Sequence, residues 1–304
     1  MSTPEIHAVT GAFGYSGRYI ARRLLSAGKA VRTLTNSPDR TGEFQGQIEV
    51  CPLAFDNPDR LVESLHGVDV LYNTYWVRFN HQRFKHSVAV ENTLKLFEAA
   101  KKAGVRRIVH TSITNPSVDS PLEYFCGKAV LEKALVETGI SHAILRPTVL
   151  FGDEDILINN IAWLLRMFPA FGVFGDGRYK LQPIFVDDFA ALHVEKGQMT
   201  ENEVINAIGP ETFSYRELVT TIARVIGKRR WIVSVPGWFG LLVGKVIGRI
   251  TGDVVITKEE IAGLKSNLLH VDALPAGSTR LTDWLHEHRE TVGKHYTSEL
   301  ARRK

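Results

Sequence analysis

Two cysteines in 304 residues are too few for a disulfide framework. Cys51 and Cys126 suit a reducing compartment, so the expected location is cytoplasmic. The chain also lacks any run of about 18 uninterrupted apolar residues, which argues against a transmembrane helix. The first apolar run begins at Ile6, so no signal peptide is expected. No His or Cys spacing resembles a metal site. His286-Glu287-His288 sets its imidazoles two residues apart, the wrong step for one helical face, and no metal is expected. A dominant charge is missing too: 37 Lys and Arg stand against 33 Asp and Glu, a net charge of +4. The cations are scattered apart from Lys228-Arg229-Arg230 and the tail Ala301-Arg302-Arg303-Lys304, so nucleic acid is not expected as a partner.

What is present is organised around Ile6 to Gly28, IHAVTGAFGYSGRYIARRLLSAG. Ile6 to Val9 is an apolar run of strand length. Gly11, Gly14 and Gly17 follow at a spacing of three. Tyr19, Ile20, Leu24 and Leu25 then recur at helical period, and Gly28 ends the helix. Strand, tight turn and helix make an anion-binding unit. Gly11 allows the turn and Gly14 lets backbone N–H groups approach a pyrophosphate. Gly17 brings the helix close to the strand, and the helix N-terminus adds partial positive charge.

Ala30 to Leu34 reads as a second strand, whose end discriminates between cofactors. An acid there would hold the ribose hydroxyls of NAD. The run Thr35-Asn36-Ser37-Pro38-Asp39-Arg40 has none directly at the strand end, so Asn36, Ser37 and Arg40 lean toward NADP, while Asp39 keeps NAD open. Ile48 to Leu53 and Val68 to Asn73 are further strands. Leu53, Thr74 and Tyr75 lie at the ends where ligands sit in open parallel sheets. Ile108 to Thr111 is a fifth strand, and its His110 reads as a sheet histidine. Ser120-Pro121-Leu122-Glu123 reads as a capping box opening a helix, with Tyr124 in the first turn and Lys128 one turn on. An ammonium beside a phenol stabilises the phenolate, so the pair can trade a proton with a substrate oxygen. His142 to Leu145 is a sixth strand and Val204 to Ile208 a seventh; Ile156 to Phe174 reads as a helix that buries one face.

Together these motifs resemble a short-chain dehydrogenase/reductase of the extended or atypical type, with the NmrA-like and complex-I-accessory-subunit-like members nearest in kind. Thr10-Gly11-Ala-Phe-Gly14-Tyr-Ser-Gly17 matches the TGxxGxxG loop and Tyr124-Phe-Cys-Gly-Lys128 the YxxxK pair. Leu145-Arg146-Pro147-Thr148 resembles the LRPxxxxG stretch, and Val186-Asp187-Asp188 lies in a stretch like the family's return to the nucleotide domain. The resemblance implies that Gly11, Phe13, Gly14 and Tyr15 touch the pyrophosphate. It implies that Tyr124 handles the proton, that Lys128 binds the nicotinamide ribose, and that Pro147 and Thr148 lie near the carboxamide. The family's active-site serine falls on Ile113, so Ser112 or Thr114 would replace it. Tyr75 and Trp76 stand where small residues are usual, and Pro52 where many relatives place an adenine-binding Asp.

The expected fold is α/β, a doubly wound parallel sheet of Rossmann type with a smaller, mostly helical substrate domain. The nucleotide domain takes 1–152 and 181–209, the substrate domain 153–180 and 210–304. The expected function is an NADP- or NAD-dependent oxidoreductase or epimerase acting on a carbonyl or secondary alcohol of a small molecule. The alternative is a cofactor-binding sensor or assembly subunit without turnover. Trp238 to Ile250, WFGLLVGKVIGRI, puts Phe239, Leu242, Val243, Val246, Ile247 and Ile250 on one apolar face. A core helix is the expectation there, and docking to a membrane surface or partner subunit through 238–250 is the alternative.

Overall fold

The computed structural model describes residues 5–40, 42–82 and 84–303. The chain divides into two compact units, 1–147 with 189–206, and 148–188 with 207–304.

In the first unit, short β-branched and apolar runs make strands and the amphipathic segments between them make helices. The strands are β1 (Ile6–Thr10), β2 (Ala30–Thr35), β3 (Glu49–Pro52), β4 (Val68–Asn73), β5 (Arg107–Thr111) and β6 (Ser141–Pro147). Across the sheet the order is β6-β5-β4-β1-β2-β3, every neighbouring pair parallel, with the strand Glu203–Ala207 added outside β6. The order reverses between β1 and β4, and this switch point opens a crevice at the carboxyl ends of the strands. The helices α1 (Tyr15–Ser26), α2 (Pro58–Ser64), α3 (His86–Lys102) and α4 (Glu123–Thr138) connect the strands. Asn57 caps α2 through its side chain, ahead of Pro58. Leu34, Leu71, Leu96, Ile108, Leu131, Leu135 and Ile144 share one core, each almost wholly buried; each side chain of this size stabilises by roughly 1.5–3 kcal/mol.

Two local expectations are corrected. Helix α4 starts at Glu123 with Leu122 as N-cap and no side-chain cap. Ser120 Oγ instead accepts the N–H of Leu122 in a turn, so the four residues make no capping box, although Tyr124 keeps its place in the first turn. Ile156 to Phe174 is not one helix. Helix α5 (Leu157–Met167) stops at Phe168, whose φ of −115° and ψ of 148° are extended. The cause is Pro169, which disfavours the helical region for the residue before it. Ala170–Phe174 then forms a strand, parallel to Trp231–Val235.

The second unit has its own core, built from Phe151, Ile158, Leu165, Leu181, Leu218, Ile222 and Leu285 among others. Helix α6 (Val186–Gly197) carries the chain back to the first unit, and α7 (Tyr215–Val225) has a complete Ser214/Glu217 capping box. Helix α8 (Gly237–Thr251) overturns the expectation of a buried apolar face. Trp238 is 69% exposed, Leu242 54% and Ile250 77%. The glycine stripe is the packed side. A Cβ on Gly240 would lie 2.2 Å from the ring of Phe174, and one on Gly248 2.5 Å from the carbonyl of Asp253. The glycines, which lack a Cβ, let the Phe174 ring and the Asp253 carbonyl come close to α8. Among the described residues no helix is long and apolar enough to cross a membrane.

Candidate functional site

Gly11 follows β1 with φ +70°, the left-handed region that glycine adopts without strain. Its N–H donates to the Leu34 carbonyl and its carbonyl accepts from Gly14 N–H at 2.8 Å. A Cβ on Gly14 would stand 3.1 Å from that carbonyl, and one on Gly17 only 2.3 Å. The turn is therefore a cradle that side chains would fill. Gly14 is the extended N-cap of α1, where no side chain caps the helix and no acid occupies the first turn. A dinucleotide pyrophosphate fits such a backbone cradle at a helix N-terminus. Phe13 stacks on Phe44 and its carbonyl accepts from Arg18; the Tyr15 ring meets Tyr19 edge to face.

Beyond β2, Thr35 Oγ1 accepts the N–H of Ser37, and Leu53 N–H donates to the Thr35 carbonyl, so Leu53 lies beside the strand end. Asn36 is exposed and Arg40 half-buried. Arg22 donates twice to Glu43, both at 2.8 Å, and Arg18 stands 3.6 Å from the same carboxylate. The Arg22 hydrogen bond holds the Glu43 carboxyl below the usual carboxylate range. Arg18 and Arg22 escaped the sequence reading; their only signal was a place one and five residues after Gly17.

On the other side of the switch point, the end of β4 is tied to β1. Thr74 N–H donates to Thr10 Oγ1, and Thr74 Oγ1 donates to the Thr10 carbonyl at 2.6 Å. The Tyr75 hydroxyl accepts from Asn92. His110 is wholly buried beside Asn73, with Nδ1 3.0 Å from the amide, and burial pushes its pKa well down. It is the sheet histidine expected.

The Tyr124/Lys128 pair lies at the end of β5. Lys128 is 1% exposed. Its ammonium donates to the Thr111 carbonyl at 2.6 Å and sits 4.2 Å from the centre of the Trp76 ring. Burial lowers its pKa to about 7, with Glu132 opposing the shift. Tyr124 is half-buried and edge-on to Trp76 and to His86.

Two hydroxyls have other duties. Ser112 Oγ donates to the Glu132 carboxylate, which also accepts from Arg146 Nε at 2.9 Å. Of the two hydroxyls expected to polarise a substrate, Ser112 or Thr114, Ser112 thus directs its proton at a buried carboxylate, which needs donors. Glu132, twenty residues away in sequence, carried no signal of that role. Thr148 Oγ1 donates to the Gln182 carbonyl, so its hydroxyl is engaged within the second unit. Thr114 is fully buried and its N–H donates to the Pro147 carbonyl. Ile113 is buried where the family places its serine.

Residues 11–160 match the NAD(P)H-binding family model. The chain is 30% identical over 237 residues to the 40 kDa subunit of NADH-ubiquinone oxidoreductase of Neurospora crassa mitochondria, covering 75% of this chain and 62% of that protein. It is 27% identical to the alpha subcomplex subunit 9 of the Arabidopsis thaliana mitochondrial NADH dehydrogenase, covering 74% and 58%. The chain thus spans about three-fifths of the length of these relatives. Among solved structures, an Escherichia coli NADPH-dependent quinone oxidoreductase complexed with NADPH superposes with a TM-score of 0.75 at 21% identity, covering 93% of this chain and 99% of that one. A Staphylococcus aureus nucleoside-diphosphate-sugar epimerase gives 0.72 at 17%, with the same coverage. These relatives correct the expectation for partners, a small-molecule substrate with membrane or partner-subunit contact through 238–250 only as the alternative: the curated relatives are themselves named as subunits of a larger assembly. The glycine cradle, the sheet order and these matches make residues 11–160 an NAD(P)H-binding domain and support a likeness to the extended, atypical short-chain dehydrogenases/reductases.

Proposed function

We propose that the chain is an NAD(P)-dependent oxidoreductase or epimerase acting on a carbonyl or secondary alcohol. The observation that carries this is the Tyr124/Lys128 pair, one helical turn apart, its ammonium held on the Thr111 carbonyl at the end of β5. Gly11, Gly14 and the N-terminus of α1 would hold the pyrophosphate, Arg18 and Arg40 an adenosine phosphate, and Lys128 the nicotinamide ribose. The bound dinucleotide would supply hydride transfer. In alcohol oxidation Tyr124, as phenolate, takes the hydroxyl proton; in carbonyl reduction it returns it to the new alkoxide oxygen. The charge on Lys128 favours the phenolate. Thr114 is left as the hydroxyl that polarises the oxygen, since Ser112 serves Glu132.

Tyr124→Phe is expected to lower turnover by about 10²–10⁴-fold while NADPH affinity stays unchanged. Protein-to-nicotinamide fluorescence transfer measures the affinity, and the same titration should show NADPH bound more tightly than NADH. An undiminished rate would remove Tyr124 from the mechanism, and equal affinities would remove the NADP preference.

The exposed apolar side of α8 favours a second reading, a cofactor-binding subunit without turnover. No oxidation of bound NADPH by a panel of aldehydes, ketones, quinones and nucleotide sugars would support it; turnover of any of them would decide for the enzyme.

A further inference from the structure

The walls around the Lys128 ammonium point to an inference that rests on the reading of Lys128 as a cofactor contact. Lys128 is enclosed: the Thr111 carbonyl lies on one side and the indole of Trp76 on another, at 4.2 Å. A ribose cannot reach a lysine that is 1% exposed unless one wall moves. The Thr111 carbonyl belongs to β5, held between β4 and β6 by the sheet ladder. Trp76 is a half-buried side chain on the segment that follows β4.

The indole has a fitted seat. It stacks on His86 with ring centroids 5.8 Å apart at 9°, and meets Tyr124 edge-on at 5.5 Å. Gly127, between Tyr124 and Lys128 in α4, makes the room: a Cβ there would stand 3.0 Å from the indole and 2.9 Å from Val90. Glycine inside a helix is unfavourable by propensity, and at this position it admits Trp76. The ring face attracts the ammonium electrostatically and keeps water from it. One side chain therefore covers Lys128 and touches Tyr124.

We propose that Trp76 and the nicotinamide-ribose end of NAD(P) compete for the same place on Lys128, so that the indole leaves its seat when the dinucleotide binds. Cofactor affinity is then reduced by the closed fraction of Trp76, and the indole leaves the edge of Tyr124 only in the loaded protein.

The test uses the full chain, with NADPH followed through nicotinamide emission excited directly. Acrylamide quenching of the Trp76 signal, taken as wild type minus Trp76→Phe, reports the seat. NADPH should make that signal accessible to quencher, whereas 2′,5′-ADP, which lacks the nicotinamide end, should leave it protected. Trp76→Leu should bind NADPH roughly three- to thirtyfold more tightly and 2′,5′-ADP equally well. Circular dichroism confirms that the variant is folded; Trp76→Phe provides the same affinity comparison, with a smaller gain, if it is not. A Trp76 signal that stays protected with NADPH bound, or unchanged NADPH affinity in both variants, overturns the proposal. A Lys128→Met arm separates the causes of failure. If it leaves NADPH affinity untouched, Lys128 is no cofactor contact and the underlying reading fails; if it weakens NADPH while Trp76 stays protected, only the competition fails.

Discussion

The two units use apolar residues in opposite ways. In the first, the inner strands are covered on both faces, so an apolar run and a buried strand coincide: Val70, Leu71 and Tyr72 of β4 are all wholly buried. In the second, α8 turns Trp238, Phe239, Leu242, Val246 and Ile250 outward and packs through glycines. Periodicity shows that a helix has an apolar side. It does not show that this side faces the chain's own core. In α8 the stripe of glycines beside the apolar one is the side that is packed.

The largest effect should come from the glycine cradle. Gly17→Ala places a methyl 2.3 Å from the Gly11 carbonyl, a rigid backbone atom. Loss of NADPH binding and a stability decrease of about 3 kcal/mol or more are expected from titration and urea unfolding; normal binding would show that α1 can shift and the cradle is looser than it looks.

The same operation on the second unit is gentler. Gly240→Val pushes a side chain into the Phe174 ring, which can rotate in part. Overpacking of this kind costs about 1–3 kcal/mol, and NADPH binding should persist. A neutral result would mean that α8 is not held by its glycine side.

Lys128 gives a pH test within the first unit. Its pKa is lowered from 10.5 to about 7 by burial. Below pH 7 both folded and unfolded chains carry the proton, and the folded chain bears the full cost of a buried charge. Between about 7 and 10.5 the unfolded chain holds more protons, so stability rises with pH, at most about 1.4 kcal/mol per unit for one site. Lys128→Met should remove this slope in urea melts at pH 7, 8 and 9; an unchanged slope would assign it to other groups.

The smallest effect should come from the outward face. Phe239→Asp with Val243→Asp adds carboxylates at positions 42% and 39% exposed. The protein should stay soluble, with stability changed by no more than about 0.5 kcal/mol. Precipitation, or a loss of several kcal/mol, would return α8 to the core and dissolve the contrast between the units.

Much of the first unit was legible because its signals are local. Strand β1, the three glycines and α1 occupy their expected places, and Tyr124 and Lys128 lie on consecutive turns of one helix. The helix break at Phe168 could have been read from Pro169, but the apolar run hid it. Ser112 reads as a free hydroxyl in sequence because its carboxylate partner comes from another element, twenty residues on. The hydroxyl of Thr148, which the resemblance puts near the carboxamide, likewise has a distant partner, the carbonyl of Gln182.

The sequence by itself determined the backbone of the nucleotide cradle. Glycine's freedom at positive φ and its missing Cβ are properties of single residues, and they act wherever strand and helix follow each other closely. Tertiary structure alone decided that α8 packs by its glycines, that Ser112 serves Glu132, and that Trp76 covers Lys128. Each depends on which distant surface arrives alongside, and a side chain bonds to whatever donor, acceptor or ring face the fold brings within about 3–4 Å of it.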